Sequence, residues 1–261
     1  ALHGADPAAR KVGEIRDRGV VIPSGETLLP DGALVLFARR PVALRALPGG
    51  GALLRDHEGL TLARPGRRPV AVPLPGGASM DGLALSPDGA RAYAADARAS
   101  VHVVDLAADP PRLERSLRLP EGAAGAPHPG GIAVADDGRL VVALGRANAV
   151  AVLDPATGAV RETLPTPPAP LFLRIVGRTL WVSCWGREPR AGGPAALSSG
   201  TRVAVDARGA SAGGTLVALS LDDRRVRRWE VPAQPVAALP DGDGVLVPCA
   251  DGAVVVRIDP S

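Results

Sequence analysis

Along most of this chain, short runs of Val, Leu, Ile and Ala alternate with Gly, Asp and Pro, and the apolar spacing almost never follows the 3.6-residue period of a helix. The pattern also repeats. Residues 84–107, ALSPDGARAYAADARASVHVVDLA, align without a gap on 133–156, AVADDGRLVVALGRANAVAVLDPA, with Asp88-Gly89 over Asp137-Gly138 and Asp105 over Asp154. Another copy runs from 238 to 259. A split copy has LFLRIVGRTLWVSCWG as its first half and GTLVALSLDDRRVRRWEVP as its second, and a degenerate copy occupies 51–74. Asp-Gly pairs suit tight hairpin turns, because glycine takes positive φ without steric cost. The spacing predicts strands at 131–135, 140–144, 150–153 and 160–164 in the third unit.

Four antiparallel strands per unit at a period of about forty residues is the pattern of a propeller blade. The expected fold is therefore an all-β propeller of five four-stranded blades, with a sixth assembled from N-terminal pieces as the alternative. A β-sandwich is the other fold considered, but it would not require units to repeat in register. One domain over 1–261 is expected, with 1–19 as a tail and 20–48 as closing strands. The last unit stops after its third strand, and an uncovered apolar edge invites aggregation, so PVALRALP (41–48) is assigned as the strand that closes the ring.

Parity locates the functional face. In a four-stranded meander, the connection from second to third strand lies on the same face as the connection into the next blade. These second-to-third connections are short in two units (DARAS, GRANA), but in the split unit the connection runs over 186–214. A loop of that length inside a compact domain is usually functional or disordered. It starts beside Trp185 and contains TRVAVD (201–206), which alternates like a strand. An ordered flap is expected, with Trp185 at its base, Val203 and Val205 facing the propeller, and Arg187, Arg190 and Arg202 available to a partner. His128, in the loop GAAGAPHPGG on the same face, is the remaining candidate. His102, mid-strand in VHVVDL, reads as a core histidine.

The charge balance narrows the partners. Thirty cationic residues, of which only Lys11 is not arginine, stand against twenty-seven carboxylates, a formal charge of +3. The arginines are scattered, which argues against nucleic acid. No run approaches the roughly 18 apolar residues of a membrane span. The first residue is Ala1 and the single methionine is Met80, so a processed N-terminus is expected, with a periplasmic or secreted location and a monomer. Cys184 and Cys249, at matching places in LWVSC and VLVPC of consecutive units, are too far apart in that register for a disulfide.

The stretch GIAVADDGRLVVALGRANAVAVLDPATGAV resembles the YVTN (YncE-like) repeats of bacterial β-propellers. WVSCWGREPRAGGPAALSSGTRVAVDARGASAGGTLVALSLD is similar to the blade insertion of members whose propeller precedes an alkaline-phosphatase-like phosphoesterase domain. That resemblance implies seven blades, two more than are legible, and a phosphoesterase domain as partner; none of that domain's chemistry lies in this chain. No nucleophile elbow, CxxC, HExxH or EF-hand spacing occurs, so no catalytic residue, metal or cofactor is assigned. The Asp-Gly landmarks at Asp88, Asp137 and Asp241 are read as turns.

Three functions remain open. One is a non-enzymatic binding or scaffold propeller that contacts a protein or domain through its top face and insertion. Another is a lactonase or streptogramin-lyase-like enzyme, a weaker resemblance that implies a His, a Glu and Mg²⁺ near the channel. The third is a remnant or excised propeller of a fused phosphoesterase.

Overall fold

The computed structural model describes residues 40–198 and 200–259, together with the backbone of three short strands nearer the N-terminus. The chain divides into two compact units, 1–38 and 39–261, so the boundary falls inside the segment read as closing strands. In the first unit β1 (Ile15–Arg16), β2 (Gly19–Val21) and β3 (Thr27–Leu28) form an antiparallel sheet in that order. The rest of the tail and of 20–39 lies outside the described residues.

The second unit is a succession of antiparallel meanders. Blade 1 is β4 (Ala43–Ala46), β5 (Ala52–Arg55), β6 (Gly59–Ala63) and β7 (Val70–Pro73). Blade 2 is β8 (Leu83–Leu85), β9 (Arg91–Ala95), β10 (Ser100–Asp105) and β11 (Arg112–Arg118). Blade 3 is β12 (Pro129–Val134), β13 (Leu140–Leu144), β14 (Ala149–Leu153) and β15 (Val160–Pro165).

Blade 4 begins with β16 (Pro170–Val176) and β17 (Thr179–Cys184) and is interrupted by a separate hairpin, β18 (Ala195–Ser198) with β19 (Thr201–Ala204). It resumes with β20 (Gly214–Ser220), which pairs directly with β17, and β21 (Val226–Val231). Blade 5 has three strands, β22 (Leu239–Asp241), β23 (Gly244–Cys249) and β24 (Val254–Ile258). No helix occurs among the described residues. The fold is an all-β propeller.

Burial explains the sequence pattern strand by strand. The middle strands β13 and β14 are apolar throughout and buried at every position, because neighbouring blades cover both faces of the sheet. The outer strands β11 and β15 are exposed at every other position or more, and only Leu117 among their residues is buried. Successive blades share one core per junction. Leu53, Leu60 and Leu83 lie between blades 1 and 2; Val101, Val142 and Leu153 between 2 and 3; Val141, Leu180 and Val217 between 3 and 4; and Leu216, Val245 and Val247 between 4 and 5.

The Asp-Gly pairs make the expected turns. Asp88 Oδ1 accepts from Ala90 N at 3.0 Å and Asp137 Oδ1 from Arg139 N at 3.1 Å. Inner strands approach closely enough to require glycine: a Cβ on Gly130 would lie 2.5 Å from the carbonyl oxygen of Leu171 on the adjacent inner strand.

One assignment is corrected. Residues 41–48 do not cover the last blade; β4 is the inner strand of blade 1, with Leu44 opposite Leu54 and Ala46 opposite Ala52. The cause is the turn. Gly49, Gly50 and Gly51 all hold left-handed φ (78°, 97° and 94°), and Leu47 and Gly51 close the loop through a 3.1 Å backbone hydrogen bond. A local hairpin costs little closure entropy compared with pairing across the whole chain.

Both cysteines are buried and free. His102 is buried in the core of blade 2, its Nδ1 2.8 Å from Ser116 Oγ and its Nε2 3.0 Å from the carbonyl of Pro75.

Candidate functional site

Four blades lead into their inner strands through a non-glycine residue in the left-handed region: Asp81 (φ 53°), His128 (47°), Ala169 (58°) and Gln234 (57°). Three of them are fixed in the same way. The carbonyl of His128 accepts from Gly145 N at 3.1 Å, that of Ala169 from Trp185 N at 2.9 Å, and that of Gln234 from Ala250 N at 3.0 Å. Each bond ties the start of a blade to the residue just past its second strand. A non-glycine residue held there costs about 1–3 kcal/mol, and such residues concentrate where the surrounding structure fixes a functional geometry.

Three of these residues, His128, Ala169 and Gln234, line a cavity of about 430 Å³ on the top face. Met80, His128, Leu171, Trp185, Val203 and Gln234 are among the residues that wall it, the fifth coming from the inserted hairpin. Its polar side is a histidine–arginine pair: Arg146 Nη1 lies 3.3 Å from His128 Nε2. With the guanidinium donating, His128 Nε2 is the acceptor and the ring hydrogen resides on Nδ1. The Trp185 ring tilts at 40° to Phe172 with centroids 6.3 Å apart. Its Nε1 is buried and has no acceptor, and an unmade bond of this kind costs about 1–3 kcal/mol.

The insertion is ordered by contacts at both ends. Gly186 is required at its base, where a Cβ would come within 2.8 Å of Val203 Cγ1 and 2.9 Å of Pro168 Cβ. At its tip the Thr201 hydroxyl reaches Asn148 Oδ1 of blade 3 at 3.2 Å, and Gly200 sits against Ala124 and Arg146. A second cavity of about 350 Å³, with Arg146, Asn148, Thr201 and Arg202 in its wall, lies along this contact.

The residues singled out from the sequence are thus divided. His128 and Trp185 share the mouth, and Arg202 is exposed beside the neighbouring cavity. Arg190 projects into solvent, 86% exposed and 4.0 Å from Glu230. Arg187 is not available as expected. It is bonded to Glu230 of β21 and to the carbonyl of Ala212 (2.8 Å), at the far end of the insertion, which leaves its side chain 25% exposed. Val203 is buried, as expected, whereas Val205 is half-buried and bridges to Ser211.

Met80, Arg146 and Gln234 were not singled out from sequence. Arg146 could have been found from register, since it follows β13 as Gly186 follows β17: their amides donate to Pro127 and Pro168 at equivalent places.

The divalent metal implied by a lyase-like resemblance does not fit these residues. His128 faces a guanidinium rather than carboxylates, and no group of three or more His, Cys, Asp or Glu able to hold a metal occurs among the described residues.

Residues 56–184 match the family described as the SMP-30/Gluconolactonase/LRE-like region. No curated protein matches the chain. A catalytically inactive variant of virginiamycin B lyase from Staphylococcus aureus, solved with quinupristin, superposes with a TM-score of 0.58 at 15% identity, over 88% of this chain and 69% of that one. A protein of unknown function from Bacteroides caccae gives 0.58 at 17% identity over 95% and 88%. The Neurospora crassa Pan2 WD40 domain gives 0.53 at 12% over 85% and 66%. At these identities the likeness is one of fold: the chain is a β-propeller, and its residues 56–184 are similar to the repeats of the SMP-30/gluconolactonase-like propellers.

Proposed function

We propose that this propeller is a binding domain whose top-face mouth and inserted hairpin receive an acceptor-bearing segment of a partner protein or domain. The observation that supports this most directly is the cavity at the mouth, where Val203 and Ser198 of the inserted hairpin join Trp185 and the His128–Arg146 pair in one wall. A peptide carbonyl or carboxylate would meet the cationic side of the mouth, while Met80, Leu171 and Val203 would cover an apolar side chain. Arg190 and Arg202 on the outer side of the hairpin suit a partner with an acidic rim. A phosphoesterase domain joined to this propeller would be one such partner.

The test is a selection of displayed peptides on the full chain, repeated on a variant in which 186–213 is replaced by an Asp-Gly turn. Enrichment of peptides that bind the parent and not the variant supports the reading. Equal binding to both, or no enrichment on the parent, refutes it.

A second reading, a lactonase- or lyase-like enzyme, draws on the match of 56–184 and on a histidine at the mouth. It is the weaker one on geometry. A general base needs a free lone pair aimed at the substrate, whereas His128 Nε2 already accepts from Arg146. Turnover of a lactone or a cyclic depsipeptide that disappears in His128→Gln would reverse this ranking.

A further inference from the structure

We propose that the central channel is a second, separate site, selective for a small oxyanion of the carboxylate or phosphate type and gripped by Arg174. The inner strands enclose a cavity of about 640 Å³ there, larger than the mouth, with Leu44, Ile132, Phe172 and Ile175 among its apolar walls. Its charged lining residues are Arg45, Asp81 and Arg174. Arg45 is engaged: its Nη2 lies 2.8 Å from Asp81 Oδ1 and its Nη1 donates to the Leu44 carbonyl at 2.9 Å. Arg174, on the inner strand β16 opposite Trp181, has no ion-pair partner among the described residues. The channel therefore carries one cation in excess, and its concave shape gathers the field of that charge.

The chemistry selects the ligand. A guanidinium presents a planar fork that matches two oxygens of a carboxylate or phosphate, and each charge-assisted contact is stronger than a neutral one. A cavity of this size has room for a small organic body behind the anionic group. Two arginines against one carboxylate are the opposite of a divalent-metal donor set, so the channel differs in sign from what a lyase-like metal site would need. Asp81 acts as a built-in competitor: it occupies Arg45, and an arriving oxyanion draws Arg45 away from it to complete a two-arginine clamp.

Calorimetric titration of the full chain with inorganic phosphate and, separately, with succinate at low ionic strength tests this. One saturable site is expected for at least one titrant, and which one binds separates the phosphate source from the carboxylate source. Arg174→Gln, at an exposed position, should weaken binding by about tenfold or more. Asp81→Asn releases Arg45 while keeping a residue that tolerates φ of 53°, and should tighten binding several-fold. Arg161→Gln, on the outer strand β15 and ion-paired with Asp154, should leave the affinity unchanged, so loss of a channel arginine is distinguished from a general loss of positive charge. The proposal is overturned if neither anion titrates, if Arg174→Gln binds like the parent, or if Asp81→Asn weakens binding.

Discussion

The side-chain oxygen of Asn148, at the turn of blade 3, accepts from two different parts of blade 4: the Ala169 amide at 3.1 Å and the Thr201 hydroxyl at 3.2 Å. One bond fixes the strand that enters blade 4, and the other pins the inserted hairpin over the blade junction. Asn148 also holds φ at 49°, which asparagine tolerates better than alanine. Asn148→Ala should therefore lower stability by about 1–3 kcal/mol in urea denaturation, from the abandoned amide and the strained backbone. Asn148→Gly should lose less, because only the hydrogen bonds go. Thr201→Val should leave the midpoint almost unchanged yet speed hydrogen exchange over 201–204. Unchanged exchange in that variant would mean that the hairpin is held by Val203 alone.

Burial pushes the Cys184 thiol up to about 12 and raises that of Cys249 as well. At pH 8 only on the order of one Cys184 in ten thousand is a thiolate, and the thiolate is the reactive form. Two thiols should be titrated in the denatured, unreduced chain and essentially none in the folded one. Fast labelling of the folded protein at pH 8 would contradict the close packing that covers Cys184 between blades 3 and 4 and Cys249 between blades 4 and 5.

These cysteines also show how far the sequence was legible. Their matching places at the ends of second strands follow from the repeat register, and blade 3 lies within a residue or two of the strands read from spacing, with 140–144 unchanged. That success has a physical basis: two-sided burial makes middle strands continuously apolar, and the Asp-Gly turns bound them. The role of 41–48 was not legible, because the unfinished last unit called for a covering strand and nothing in the apolar pattern of 41–48 tells an inner strand of blade 1 from such a cover. Arg187 was misjudged since its partner, Glu230, is forty-three residues away and meets it only after β20 and β21 are laid beside β17. The mouth ring was least legible. Nothing about Ala169 or Gln234 as residue types signals positive φ; tertiary hydrogen bonds impose it.

His102 gives the fold a defined acid response. Burial is the main influence and lowers its pKa below the ordinary 6.5; the Pro75 carbonyl and Asp96 work against that shift, and Arg55 adds to it. The folded state thus keeps His102 neutral where the unfolded chain would protonate it. The linked stability is fully present above about pH 6.5 and is lost progressively as pH falls toward the folded-state pKa. Denaturant midpoints of the parent should therefore drop between pH 6.5 and 5 more steeply than those of His102→Gln, which has no proton to take up. Parallel pH profiles for the two proteins would show that His102 titrates alike in both states.

Arg55 is the largest fully buried side chain, and two of its three nitrogens, Nε and Nη1, have no acceptor; Nη2 donates to the Gly77 carbonyl. Burial lowers its pKa, while Asp56 and Asp96, both buried, offset part of that cost through their charge. These carboxylates have other employment. Asp96 Oδ1 accepts from the amides of Arg98, Ala99 and Ser100 at 2.7–2.9 Å, and Asp56 Oδ1 accepts from those of Glu58 and Gly59. The two aspartates build the turns of blades 1 and 2 whether or not the arginine is present. A buried charge with incomplete hydrogen bonding contributes little net stability, and an apolar side chain of similar length removes its desolvation cost. Arg55→Met should therefore fold with a stability within about 1 kcal/mol of the parent, whereas Arg55→Ala should lose about 2–4 kcal/mol by opening a cavity between blades 1 and 2. Asp96→Ala, which abandons three amides at once, should cost at least as much as Arg55→Ala. Chemical denaturation of the three variants decides the matter, and an Arg55→Met protein as unstable as Arg55→Ala would show that the guanidinium's charge, not its bulk, holds the first two blades together.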